Sequence, residues 1–381
     1  MQSSDTNALR RRPTRSNIFQ YLYYQKDFCS KQSIATDLGL SLPTIYQNLT
    51  ELMEEGLICY TAEHRYTGGR RSVGLQVVSG ARLAVGISIS NDRVRFLLAD
   101  LHLNVIAQRK ISRKLDGNME ALAGFLSEEL ESFLDEHLCD RSKLLGVGIA
   151  FPGIISEDGG SMVMAPTMQL QDPPLKVLRE AISYPICIRN DANCGGHAEW
   201  FICRQKSEIE DLNLAYLSLE NGVGGAILLR GKPFNGDHGR SGEFGHMTVE
   251  KDGRKCACGK RGCLEAYCSA HRISRDLGIT PDEFFTEKDN GNSKYAAIWD
   301  DMLRHLAVAI NNINVSLDCD VILGGFLSEY LEKDLETLRS YVRECNPFTS
   351  NGNFVRLSEL KSYSVPLGAA LYFIQNFVES V

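Results

Sequence analysis

At 381 residues, with 43% hydrophobic and 23% charged side chains, the sequence reads as a soluble globular protein of two or three domains with a sizeable core. Its net charge of −7 hides an asymmetry: residues 1–80 hold nine basic and seven acidic side chains, against 32 and 41 in the rest. Disordered and collagen-like classes are excluded, no apolar run approaches the roughly 18 residues of a membrane span, and the opening MQSSDTNALRRRPTRS lacks the apolar stretch of a secretory signal.

Residues 1–80 predict a winged helix-turn-helix that binds DNA. A basic arm with Arg10, Arg11 and Arg12 reads as loose, and Thr14–Tyr24 places Ile18, Phe19, Leu22 and Tyr23 at helical spacing. Ser30 caps a short helix carrying Ile34, Ala35 and Leu38, and Gly39 turns the chain. Ser41 caps a second helix with Pro43 in its first turn, Ile45, Leu49 and Leu52 as its buried stripe and Gly56 at its end. Leu57–Tyr60 reads as a strand, Gly68-Gly69-Arg70-Arg71 as a hairpin tip and Ser72–Val78 as the returning strand. In a winged helix the second helix enters the major groove of double-stranded DNA. Thr44, Tyr46, Gln47 and Asn48 are expected on its exposed face, towards bases and phosphates, with Arg65, Arg70 and Arg71 reaching the backbone or minor groove from the wing. A winged helix that recognises a protein is the alternative.

From Ala81 the texture changes to alternating apolar strands and helices, an α/β pattern. ARLAVGISIS and RVRFLLADLHLN read as a β-hairpin, Asn118–His137 as a helix, LLGVGIAFPGII as a buried strand, and YPICIRND as a strand ending in polar residues. Helix Ala192–Arg204, strands LNLAYLSLE and GGAILLRGK, two long helices in Ser293–Asp318 and a final strand VILGG follow. The repeated order of hairpin, helix and strand predicts two related lobes, 81–200 and 201–381, with ligands held in the cleft between them and a dimerisation surface on the second.

Twelve cysteines are spread along the chain, but only Cys256, Cys258 and Cys263 are closely spaced. The isolated ones read as small buried hydrophobes in a reducing cytoplasm. With His246, the three clustered thiols suit one structural zinc ion per chain; Cys256 and Cys258 are too close for a relaxed disulfide, while Cys258–Cys263 remains open to one. Glu243 lies three residues before His246 and Glu265 two after Cys263, so a metal knot would fix both carboxylates towards neighbouring hydroxyls of a ring. Asn190-Asp191 ends a strand and opens a helix, where a carboxylate can take a proton from a sugar hydroxyl; a plain helix cap is the other reading. Glycine-rich turns at Asn221–Gly225 and Leu323–Gly325 follow apolar strands and suit a close approach to phosphate or adenosine, or merely a tight connection.

The segment GEFGHMTVEKDGRKCACGKRGCLEAY resembles the Gly-Glu-x-Gly-His block and cysteine-rich zinc signature of the ROK family (repressors, open reading frames and sugar kinases), and RNDANCGGHAE resembles its catalytic-aspartate segment. The resemblance covers nearly all of residues 81–381. It implies a two-lobed actin-like (ribonuclease H-like) sugar-kinase fold, with Asn190, Asp191, Glu243, His246 and Glu265 on sugar hydroxyls, and with His246 touching both sugar and zinc. The winged helix is similar to that of the family's regulators, which its stand-alone kinases lack.

Where the family's kinases have an Asp-x-Gly-x-Thr phosphate loop, this chain has GISISNDR, Gly86–Arg93, with Ser88 and Ser90 replacing the aspartate and glycine and Asp92 in the threonine's place. A carboxylate facing polyphosphate is unfavourable, and Asn221 departs from the second loop too. The implied function is a sugar-responsive transcriptional regulator, a repressor released from its operator by a monosaccharide or derivative. No catalytic residue is expected, Asp191 being the residual position of the kinase base. An ATP-dependent sugar kinase with an appended DNA-binding domain is the alternative. Thr167 stands near the place of a sugar-contacting asparagine, which leaves the sugar's identity open. The expected assembly is a homodimer, or a tetramer, without membrane association.

Overall fold

The structure, a computed structural model, describes residues 3–25, 29–67, 70–114, 117–156, 159–165, 170–206, 212–348 and 350–381, with side chains other than those of 3–12, 62–67, 70–72 and 163–165. Arg10–Arg12, Arg65, Arg70 and Arg71 therefore lie outside the described side chains, and Gly68, Gly69 and Thr167 outside the described residues.

The N-terminal unit packs α1 (Ser3–Tyr24), α2 (Lys31–Asp37) and α3 (Leu42–Glu54) beside the antiparallel hairpin of β1 (Ile58–Thr67) and β2 (Arg70–Val77). Ser30 and Ser33 close a reciprocal capping box on α2, Gly39 turns at φ +62°, and Ser41 caps α3 with Pro43 in its first turn. Ile18, Phe19, Ile34, Ile45, Leu49 and Leu52 are buried together. Two expectations change. The basic arm is the opening of α1, since Ala8, Leu9 and the three arginines are good helix formers with no glycine among them. Asn48 is buried, because positions 45, 48, 49 and 52 form one face of a 3.6-residue helix; its amide donates to the Thr44 carbonyl at 2.8 Å.

Beyond it stand two five-stranded sheets of one topology. The first is built from β3 (Leu83–Ser90), β4 (Arg93–Asp100), β5 (Val105–Ser112), β6 (Leu144–Phe151) and, later, Ile186–Asn190, with α4 (Met119–His137) between β5 and β6. A small sheet of β7 (Ile154–Ile155), β8 (Met162–Ala165) and β9 (Leu170–Gln171) precedes α5 (Lys176–Ala181), β10 (Ile186–Asn190) and α6 (Asp191–Lys206). The second sheet has β11 (Leu214–Leu219), β12 (Val223–Leu229) and β13 (Lys232–Pro233); after α7 (Glu265–Cys268), α8 (Ala270–Ser274), α9 (Pro281–Asp289) and α10 (Ser293–Leu317) come β14 (Asp320–Gly324), α11 (Leu335–Cys345), β15 (Val355–Leu357) and α12 (Ser364–Ser380). The orders β10-β6-β3-β4-β5 and β15-β14-β11-β12-β13 are equivalent, with three antiparallel strands and two parallel ones in each.

The lobes exchange helices. α6 leaves the first sheet and packs on β11 and β12, whereas α12 leaves the second and packs on β3 and β6. The expected cut at residue 200 falls inside α6, so the lobes are not successive segments of chain. The two helices touch where a Cβ on Gly368 would lie 1.7 Å from the Cys194 carbonyl oxygen, a contact only glycine allows. Fully buried Glu199 of α6 accepts the N–H groups of Glu359 and Leu360, 3.2 Å each, and so holds the segment leading into α12.

Ser293–Leu317 is one helix of 25 residues, not two. No glycine or proline interrupts it, and Trp299, Leu303, Leu306, Ile310 and Ile313 keep its period until Asp318 turns left-handed at φ +47°. The edge strand β5 alternates exposed and half-buried residues from Ile106 to Ser112, and its first two residues, Val105 and Ile106, are both exposed. After β14 the chain runs through 3-10 turns, Phe326–Asp334, before α11 begins. No helix among the described residues is long and apolar enough to cross a membrane.

Candidate functional site

The four predicted metal ligands come together. One donor atom from each of His246, Cys256, Cys258 and Cys263 lies within 4.8 Å of the others. The Cys258 and Cys263 sulfurs are 3.7 Å apart, and Cys256 Sγ is 4.0 Å from His246 Nδ1. Tetrahedral zinc, with Zn–S near 2.3 Å and Zn–N near 2.0 Å, requires edges of roughly 3.5–3.8 Å, so this donor set fits such an ion with slight contraction. The backbone preforms the knot: Cys256 N–H donates to Lys260 O at 2.8 Å, Leu264 N–H to Met247 O at 2.9 Å, and Gly262 turns at φ +80°. A Cβ on Gly262 would stand 1.8 Å from the Glu250 carbonyl oxygen. As expected, Cys268 is apart from the cluster, its thiol donating to Met302 O of α10 at 3.3 Å.

Glu265 opens α7 two residues past Cys263, and its Oε2 accepts the Val223 N–H at 3.1 Å. Its Oε1 lies 3.9 Å from Cys256 Sγ. The knot is thereby fastened to the β11–β12 turn, which forms a wall of the interlobe cleft.

Asp191 faces that cleft from the first residue of α6, accepting the Ala192 N–H at 2.8 Å. Burial raises its carboxyl to about 7, against the lowering effect of that hydrogen bond and with the charges of Glu220 and Glu243 adding to the rise. Desolvation also holds Glu243 above the ordinary range, with His246 opposing and Glu265 adding to the shift. Asp191, Glu243, Glu265 and His246 thus form one linked electrostatic group. Asn190 has a bracing position: its Nδ2 donates to Gly153 O at 3.0 Å and lies 3.3 Å from Asp191 Oδ1, while its Oδ1 accepts the Asn193 N–H at 2.9 Å.

Three residues of the cleft were not singled out from sequence. Glu220, just after β11, lies beside Asp191; burial raises its carboxyl, and Arg95 and Arg93 pull it down. Arg93 and Arg95 stand two apart on β4 and so share a face, the alternation in RVRF being the sequence signal for it. The β3–β4 turn carries its own ion pair, Arg93 Nη2 to Asp92 Oδ2 at 2.9 Å, with Ser90 Oγ donating to Asp92 at 3.1 Å.

On α3, Tyr46 is half exposed with Lys31 Nζ 4.2 Å from its ring centre, and exposed Gln47 donates to Glu51 at 3.3 Å. Half-buried Thr44 has its hydroxyl 2.8 Å from that of Ser41. The N-terminal unit is seated on the lobes through α1. Ser16 Oγ donates to Glu379 O at 2.7 Å, Phe19 meets Phe377 edge-on at 6.0 Å, and Arg204 of α6 stands 4.4 Å over the Tyr24 ring.

The ROK family's sequence profile matches residues 84–375. The chain belongs to the ROK family. Among ROK relatives, it is 26% identical over 372 residues to the xylose repressor of Caldicellulosiruptor bescii, covering 92% of each chain. It is also 26% identical over 285 residues to the glucokinase of Halalkalibacterium halodurans, covering 68% of this chain and 85% of that one. The crystal structure of a ROK family transcriptional regulator, a homologue of the E. coli Mlc protein, superposes with a TM-score of 0.76 at 20% identity over 97% of both chains. That superposition shows the same fold as that regulator over both lobes and the N-terminal unit, and the two-lobed α/β architecture expected from the sequence is the one observed.

Proposed function

We propose that the chain is a cytoplasmic, sugar-responsive transcriptional regulator that binds an operator in double-stranded DNA and is released by a monosaccharide or its derivative. One observation carries the reading: α6 begins at Asp191 in the interlobe cleft and ends at Phe201 and Arg204 against α1 of the N-terminal unit. A ligand that draws the lobes together shifts a helix on which the DNA-contacting unit rests, and so biases the population of DNA-binding geometries. The repressors among its relatives support the same reading.

Residues 1–80 act as the winged helix-turn-helix, with Tyr46, Gln47 and Thr44 of α3 and Arg65, Arg70 and Arg71 of the wing on DNA; residues 81–381 form the two sugar-binding lobes, with α6 and α12 exchanged between them. Asp191, Glu243, His246 and Glu265 hold sugar hydroxyls, with Asn190 bracing Asp191. His246, Cys256, Cys258 and Cys263 hold one zinc ion, which when bound fastens the knot that fixes Glu265. A homodimer presents two winged helices to a two-fold operator. The test is selection of bound fragments from genomic DNA, followed by gel shift with a monosaccharide panel. Specific DNA released by one sugar is the expected result; no specific DNA, or complexes that no sugar releases, overturns the reading.

The kinase alternative draws on Asp191, whose carboxyl near 7 suits a general base. Against it stands the Asp92–Arg93 ion pair in the β3–β4 turn. Sugar-dependent ADP release at turnover rates of the order of 1 s⁻¹ or more would establish the kinase.

A further inference from the structure

We propose that Lys31 of α2 contacts a phosphate of the DNA backbone, held ready for it by the rings of Tyr46 on α3 and Tyr60 on β1. The inference rests on the DNA-binding reading above and adds to it Lys31 and Tyr60, two residues that no motif marks. Lys31 Nζ stands 4.2 Å from the centre of the Tyr46 ring and 5.4 Å from that of Tyr60. Three elements, α2, α3 and β1, thus meet at one ammonium group. Tyr46 is 52% exposed and Tyr60 49%, so the group lies at the surface and not in the core. The backbone beneath it is fixed by the capping box: Ser30 N–H donates to Ser33 Oγ at 2.8 Å, and Ser33 N–H to Ser30 Oγ at 3.1 Å.

Charge decides what this surface takes. Two cations of the N-terminal unit have described side chains, Arg15 and Lys31. Arg15 is paired with Glu55, whereas Lys31 makes no salt bridge among the described residues. The acids of the helices stand elsewhere. α3 has none from Leu42 to Thr50 and carries Glu51 and Glu54 in its last turn, while Asp37, the one acid of α2, accepts the Tyr21 hydroxyl. A ring face attracts an ammonium without neutralising it and leaves its N–H groups to an oxygen acceptor.

A lysine placed on aromatic faces and kept clear of carboxylates suits an anion. The acid-free half of α3 is its N-terminal half, the part of a recognition helix that meets the bases, and phosphates flank the groove it enters. Leu42, exposed one turn before Tyr46, continues the same face and suits a thymine methyl. Holding the ammonium in advance also spares the loss of rotamer freedom that a loose lysine suffers on binding.

Fluorescence anisotropy of the full, zinc-loaded chain tests this with two duplexes of equal length, an operator fragment obtained by selection and a random sequence, over salt concentrations of about 50–200 mM. Lys31→Met is expected to weaken both duplexes about fivefold and to flatten the slope of log affinity against log salt by about 0.9, the value of one phosphate contact. Lys31→Arg should keep both affinity and slope. Tyr60→Ser should weaken both duplexes about threefold and Tyr60→Phe should not, because the ring and not the hydroxyl holds the lysine. Unchanged melting curves show that the variants are folded. An unchanged salt slope in Lys31→Met, a loss confined to the operator, or Tyr60→Phe as weak as Tyr60→Ser overturns the proposal and leaves the regulator reading in place. The first of these is the result if the face docks a protein instead of DNA. A wild-type chain that binds neither duplex overturns both.

Discussion

Glu265 and Val223 are joined by a 3.1 Å hydrogen bond from the backbone N–H of β12 to the carboxylate at the head of α7. The bond links a cysteine-rich knot, whose cohesion is local, to a turn that walls the cleft between the lobes. There is no room for a side chain beside it: a Cβ on Gly222 would stand 2.7 Å from the same carboxylate oxygen. The state of the knot is therefore felt in the cleft.

Cys258→Ser is expected to abolish stoichiometric zinc and to lower the melting temperature by on the order of 5 °C, because a structural ion binds only the folded arrangement. Elemental analysis together with a thermal melt checks both. A zinc-free variant with wild-type stability would show that the cluster is held by packing alone.

Asp191 makes stability depend on pH in a definite direction. Its carboxyl titrates near 7 in the folded chain and near 3.8 unfolded, so the folded state binds more protons between those values and stability falls as pH rises from about 4 to 7. Asp191→Asn should remove that slope and gain on the order of 1–3 kcal/mol above pH 7, allowing for the residue's partial exposure. Urea unfolding at pH 5 and pH 8 measures it. The same variant should weaken sugar binding about tenfold or more through loss of a charged acceptor.

Gln47 and Asn48 are neighbours with opposite consequences. Asn48→Ala removes a buried amide bonded to Thr44 and is expected to cost roughly 1–2 kcal/mol of stability. Gln47→Ala, on the exposed face, should leave the melt unchanged and weaken operator binding by several-fold. A gel shift and a melt on each variant separate the two.

Tyr23 packs its ring on His102 at 5.0 Å and near Phe201 at 6.4 Å, at the seam between α1 and the lobes. Tyr23→Ala should reduce the release of DNA by sugar while leaving sugar affinity within about twofold, since the ring touches α6 far from Asp191. Calorimetry with sugar, and gel shifts with and without it, test this; retained release would remove the seam from the coupling path.

The sequence by itself determined whatever depends on short separations along the chain. Ser30, Gly39, Ser41 and Pro43 define the α2–α3 turn within fifteen residues, and the Cys256–Cys263 knot with His246 closes within eighteen, so caps, turns and ligand spacing state their own geometry. The apolar runs of β3, β6, β11 and β14 were legible for the same reason. Only the tertiary structure decided how the halves combine. Nothing in the composition of α6 or α12 says that each crosses to the other lobe's sheet, since both are apolar on more than one side and the choice rests on glycine contacts such as Gly368 with Cys194. Burial of Asn48 was misjudged because a polar residue on the stripe of a short helix looks like one on its rim. Glu220 and Arg95 carry no motif; they meet in one cleft only because two sheets with the same strand order face each other across it, and charges brought together from distant positions have no signature in any single window of sequence.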